Sequence, residues 1–289
     1  MGVAAWLIGK DAGEPELARP VLDLSGPALA SAFKTLAQGC EELGGIERYV
    51  EALKLKSELF KDTLGDGKAE TLTLDGLMSL CTFMATVRRR IAPYLDAKGL
   101  ARIRGALTDL LDGPGDTATT DRRITAFCKA FPDDKEHRFV RDLASEVLHN
   151  VDPERYPLMN RWVWDAATNT GAIREMWFGE NVDHMTIPVA DGYATYLMLR
   201  EELARFLTQN GVFRDVLWYG DLLTAQVYAN YIAAQGGAYL RADFSSAEDT
   251  MLHTRRILGL DGVKPNSART RLKAIDGEAF VLDDTKLLS

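Results

Sequence analysis

The stretch HNVDPERYPLMNRWVWD, His149 to Asp165, gathers one histidine, three carboxylates, two arginines and two tryptophans. His149 with Asp152 and Glu154 offers an imidazole and carboxylates that could hold a metal, and so do Glu180, Asp183 and His184 further on. Neither group has histidines at i and i+4, the spacing that turns two imidazoles to one face of a helix. The four histidines, His137, His149, His184 and His253, stand in separate segments. His149 is therefore expected to stabilise a turn, and residues 178–184 to form a surface loop. Nucleophilic catalysis needs a nucleophile, a base and an orienting group together in space. No Gly-x-Ser-x-Gly elbow is present, and Cys81 and Cys128 sit in apolar helical patterns that read as core. The GDGK at Gly65 to Lys68 lacks the spacing and the trailing Ser or Thr of a phosphate loop. No catalytic residue, metal or cofactor is assigned.

Three other groupings could bind something. Arg88, Arg89 and Arg90 form the densest positive run; Arg122-Arg123 and Arg255-Arg256 are pairs, and Arg269, Arg271 and Lys273 a looser cluster. Arg88, Arg89, Arg90, Arg122 and Arg255 could together line a phosphate-binding groove. Taken singly, each suits a solvated helix end, where a cation meets the negative pole of the dipole. Trp162, Trp164, Trp177 and Phe178 could present an aromatic contact surface to a protein partner. On a helix, Trp162 and Trp164 diverge, so at most one is expected deep in the core. Gln226 and Asn230 are four apart and share a helix face. With Asp221 they could line a polar pocket, or form a hydrogen-bonded contact to a neighbouring helix.

The stretch ASEVLHNVDPERYPLMNRWV also resembles a pattern in helical proteins related to the helix-hairpin-helix DNA glycosylases. Leu148, His149, Pro153, Pro157, Leu158, Met159, Asn160 and Val163 fall in the family's order, over about 20 residues. The resemblance implies a related helical fold. Active members carry an Asp where this chain has Asn160, and an amide can neither act as a carboxylate base nor stabilise a developing cation by charge. The family's Leu-Pro-Gly-x-Gly hairpin is missing, and the acidic FPDDKEHRF stands in its region. A related fold with a different task is what the resemblance implies.

The elements that must position these residues are mostly helices. Apolar residues recur at helical spacing over 27–43, 46–64, 99–111, 120–131, 193–207 and 213–234. Residues 74–95 read as one buried helix that Pro93 bends or ends. Residues 65–74 read as a loop with some strand character. The segment PDDKEHRFVRDLASEVLHN reads as a helix with acidic residues in its first turn. Asp152-Pro153-Glu154 reads as a helix start, Asn160 as the cap of a helix from Arg161, and Ser245 with Glu248 as a capping box. Near the end, alternating residues flank Asp276-Gly277, a hairpin signal. The expected class is mainly α, a multi-helix bundle with a small β-hairpin near the C-terminus. DGPGDTATT, Asp112 to Thr120, breaks every periodicity. It divides the chain into helical subdomains 1–112 and 121–289, unless the two form one continuous domain.

The chain has 289 residues, 46% of them apolar and 26% charged, with a net charge of −8. That charge disfavours broad nucleic-acid binding and docking on anionic lipid, without excluding a local basic groove. No apolar run is long enough to span a membrane, and no basic region precedes the short apolar stretch near Met1, so no membrane span and no secretory signal are expected. Three widely separated cysteines suit a reducing cytoplasm. The leading expectation is a cytoplasmic, non-catalytic accessory protein that meets a protein partner through the aromatic surface. The alternatives are a nucleic-acid-binding or processing protein of glycosylase-like fold, and an enzyme on a small polar substrate near Asp221, Gln226 and Asn230.

Overall fold

Two helices run through the middle of the molecule, and their sequences explain why. In the computed structural model, which describes residues 19–41, 44–113, 115–236, 251–263, 272–273 and 279–280, the helices are ten in number. They are α1 (Gly26–Glu41), α2 (Ile46–Leu64), α3 (Leu74–Thr82), α4 (Ala97–Leu111), α5 (Thr120–Lys129), α6 (Phe139–Val151), α7 (Ala172–Glu175), α8 (Tyr193–Gln209), α9 (Val216–Gly236) and α10 (Leu252–Ile257). The sequence of α9, VLWYGDLLTAQVYANYIAAQG, has one charged residue and is apolar nearly all round, and its middle, from Leu222 to Val227, is buried. It packs against α1, α2, α7, α8 and α10.

Helix α6 is central for a different reason. Every residue from Phe139 to Asn150 except Arg141 is buried. Asp142, Ser145, Glu146, His149 and Asn150 recur three and four apart, so a polar stripe faces the interior. Buried polar groups are tolerated only when bonded, and these are. Lys56 Nζ of α2 lies 2.8 Å from Glu146 Oε2 and donates to the Leu258 carbonyl at 2.9 Å. Asn150 and Asn160 donate to the Glu146 carboxylate at 3.1 and 3.2 Å. Ser145 Oγ donates to Asn160 Oδ1 at 2.8 Å and accepts from the Met159 amide at 2.7 Å. Asp142 accepts from the Arg161 amide and from its guanidinium, each at 2.9 Å. The polar stripe thus fastens α2, the 156–161 turn and the residue after α10 to one helix.

Several expectations are corrected. Asp152-Pro153-Glu154 and Arg161–Val163 are turns, not helix starts. The chain after Asn160 folds back on residues 170–173: the Ala172 and Ile173 amides donate to the Trp162 and Val163 carbonyls at 2.9 and 3.0 Å. Those carbonyls are then spent outside any helix. The helix expected over 74–95 stops at Thr82 and continues as turns to Arg90. Gly259 crosses there; a Cβ at that position, where φ is +74°, would lie 1.9 Å from the Phe83 carbonyl oxygen. Residues 68–71 form a 3-10 turn rather than a strand, and 132–138 precede α6 without joining it. The C-terminal hairpin is not supported: only Leu272–Lys273 and Ala279–Phe280 pair, antiparallel, and the turn between them lies outside the described residues. The Ser245–Glu248 pair also lies outside them. One cluster of buried side chains runs from Leu22 to Leu260 on both sides of the Asp112–Thr120 linker. Among the described residues no helix is long and apolar enough to cross a membrane.

Lys56→Met leaves the Glu146 carboxylate buried without its cation, so urea denaturation should show a loss of about 3–5 kcal/mol. An unchanged midpoint would mean that the network is not holding the helices.

Candidate functional site

The polar stripe of α6 brings cations together from four places in the sequence. A cavity of about 600 Å³ is lined by Arg88, Arg89 and Arg90 from the turns after α3, Lys135 and Arg138 from the segment before α6, Arg161 from the turn after Asn160, and Arg256 from α10. Phe139, Trp162 and Tyr228 supply aromatic wall. Each position has a local cause. Arg161 is fixed through both its backbone and its side chain by Asp142. Arg256 stands two residues before Leu258, whose carbonyl takes the Lys56 bond. The Arg88–Arg90 turn follows the end of α3 at Thr82, where Gly259 lies close on the Phe83 carbonyl.

Carboxylates hold some of these cations from behind. Arg88 pairs with Asp261 at 2.7 Å, Arg138 with Asp165 at 2.9 Å and Arg161 with Asp142 at 2.9 Å, while Arg256 stands 3.9 Å from Asp261. None of those three carboxylates lines the cavity. Arg89, Arg90 and Lys135 have no ion-pair partner among the described residues. In the pairs given above, among the described residues, the seven cations meet three carboxylates, inside a chain of net charge −8. Low-dielectric walls strengthen such a field. Among the described residues, four buried polar atoms on lining residues have no hydrogen-bond partner: Thr86 Oγ1, Arg88 Nε, Arg161 Nε and Trp162 Nε1. All can donate, which suits an acceptor-rich ligand.

The sequence-derived candidates divide unevenly. Arg88, Arg89 and Arg90 do converge, but Arg122 is exposed elsewhere and Arg255 is buried and does not line the cavity. Arg269 and Arg271 lie outside the described residues. Lys135, Arg138, Arg161 and Arg256 join the site without having been chosen for it; only Arg256 stood in a pair that invited attention. The aromatic surface is corrected. Trp164 is 0% exposed, Trp177 7% and Trp162 8%, and only Phe178, at 69%, faces solvent. Trp162 and Trp164 are both buried because the backbone there is not helical. Trp164 donates to the Val189 carbonyl at 3.2 Å, and Trp162 lies 5.9 Å from the Tyr228 ring.

The polar trio on α9 does not form one pocket. Gln226 is buried, donates to Asn230 at 2.8 Å and accepts from Thr254 of α10 at 2.9 Å, a helix-to-helix contact. Asp221 and Asn230 line different cavities. His149 Nδ1 donates to the Tyr156 carbonyl at 2.9 Å, bracing the turn. Asn160 is 1% exposed and engaged at both ends of its amide, so it acts as a structural clamp. The Cys40 thiol is pushed up to about 12, chiefly by burial, and burial raises Cys81 and Cys128 as well. Comparison with known proteins brings no match: no family model, curated protein or solved structure matches this chain.

Trp177→Ala should cost about 3–5 kcal/mol in chemical denaturation, as a buried aromatic does. Phe178→Ala should change stability by no more than about 0.5 kcal/mol, as at other surface sites. Equal losses would contradict the placement of the two rings.

Proposed function

We propose that this chain is a cytoplasmic binding protein for a small, phosphate-bearing polyanion such as a nucleotide, held in the basic cavity. The observation that carries the reading is the convergence of Arg88, Arg89, Arg90, Lys135, Arg138, Arg161 and Arg256 on one cavity of an acidic chain. Arginine presents planar, multidentate donors that fit phosphate oxygens. A volume of about 600 Å³ lies in the range of small-molecule sites. The overall negative charge favours a compact ligand, because an extended polyanion would also meet the acidic remainder of the surface. Tyr228, half-buried on the cavity wall, gives a ring or base something to stack on. The absence of any paired cysteine among the described residues fits a reducing compartment.

A second reading keeps the resemblance to the glycosylase-related proteins: a nucleic-acid strand as ligand. It is favoured by one observation, that Arg161, next to the Asn160 that marks the resemblance, lines the same cavity. The reading of an adaptor for a protein partner loses three of its four contact residues to the core.

Titration with ATP and with tripolyphosphate at rising salt tests the proposal. Saturable binding that weakens with salt is expected. Replacing exposed Arg89 and Arg90 together with Glu should weaken it by about tenfold or more, roughly 1.4 kcal/mol. No binding of either probe at low salt would contradict the proposal. Affinity for an oligonucleotide that grows with its length, with a steep salt slope, would favour the second reading.

A further inference from the structure

A second cavity, of about 290 Å³, lies between α8, α9 and the 157–163 turn. Its wall is apolar over Leu158, Val163, Leu203 and Leu217, and Trp162 lines both this cavity and the basic one. Two opposite charges interrupt that wall. Arg200 donates through Nη1 to the Glu154 carbonyl at 2.8 Å, but its buried Nη2 has no hydrogen-bond partner among the described residues. Burial pulls the Arg200 pKa below the usual guanidinium value, and Asp221 supplies the strongest opposing charge. Asp221 Oδ2 is likewise buried without a hydrogen bond among the described residues. It makes an ion-pair contact with His149 Nε2 at 3.1 Å, outside hydrogen-bond geometry.

Orphaned polar atoms of this kind are rare in folded proteins and costly to leave unbonded. Here a donor and an acceptor without hydrogen bonds among the described residues, the acceptor beside His149, belong to the same small, mostly apolar cavity. We propose that the cavity binds a zwitterionic α-amino acid with a large apolar side chain. The ligand carboxylate meets the Arg200 guanidinium, the ammonium meets the Asp221 carboxylate, and the side chain packs among Leu158, Leu203 and Leu217. A plain fatty acid would offer Asp221 no hydrogen-bond donor and leave it only the His149 contact. A phosphate would bring two negative charges beside Asp221 with one guanidinium to receive them. The volume, at the small end for ligand sites, fits an amino acid and is too small for a nucleotide. The inference is independent of the basic cavity, since it uses none of that cavity's cations.

Calorimetric titration with L-leucine, L-methionine and L-phenylalanine tests it. At least one should bind saturably. For phenylalanine, 3-phenylpropionate and phenethylamine, which lack the ammonium and the carboxylate, should each bind weaker by about tenfold or more. Leu217→Trp fills the cavity from its half-buried side and should abolish binding with the fold intact by circular dichroism. Asp221→Asn, nearly isosteric, should weaken phenylalanine but leave 3-phenylpropionate unchanged, which keeps the test decisive if Leu217→Trp misfolds. No binding of any of the three amino acids would overturn the proposal. So would equal affinity for phenylalanine and 3-phenylpropionate, or unchanged binding by a folded Leu217→Trp. Phosphate probes in the basic cavity report on a different set of residues, so failure of one reading leaves the other standing.

Discussion

The buried pair between Lys56 and Glu146 is the contact on which the arrangement depends. Both side chains are almost fully enclosed, at 3% and 2% exposure. Two charges taken out of water are tolerable only when the geometry is good and the remaining donors and acceptors are also bonded. Both conditions hold: Glu146 receives Lys56, Asn150 and Asn160, and Lys56 also donates to the Leu258 carbonyl. Each of those partners sits on a different piece of chain. The pair therefore fixes where α2, the 156–161 turn and the end of α10 stand relative to α6. Arg161 and Arg256, on the turn and on α10, take their places in the basic cavity as a result.

A layered arrangement of charge follows. Asp142, Asp165 and Asp261 hold arginines from outside the cavity, which leaves the cavity itself lined by cations and aromatic rings. Such pairs limit the side-chain freedom that a bound anion would otherwise have to freeze out. Trp162 closes the basic cavity on one side and the apolar cavity on the other. Its own backbone is held by the fold-back on 170–173, through the Ala172 amide on its carbonyl, so that fold-back places the one side chain the two cavities share.

Helical periodicity made α2 readable to the residue, and α1, α4, α5, α8 and α9 to within a few residues at their ends. Apolar spacing decides those helices, and it is local information. The segment 152–165 was not readable, because its backbone groups bond to Ser145, to Asp142 and to residues 170–173, none of which periodicity reveals. The same blindness placed Trp164 and Trp177 on a surface. Part of the basic site was legible as the run Arg88–Arg90. Lys135, Arg138 and Arg161 are single cations, two in the acidic segment before α6 and one in the 149–165 stretch, and only tertiary folding brings them to the run. Asn160 departs from the resembled catalytic pattern, and the structure bonds its amide at both ends, to Ser145 and to Glu146.

The most direct measurement is a crystal structure grown with tungstate, a phosphate mimic that scatters X-rays anomalously. The account predicts the strongest anomalous peak within hydrogen-bonding distance of Arg88, Arg161 or Arg256, inside the basic cavity. A cavity without a peak, with tungstate bound only at other surface cations, would contradict it.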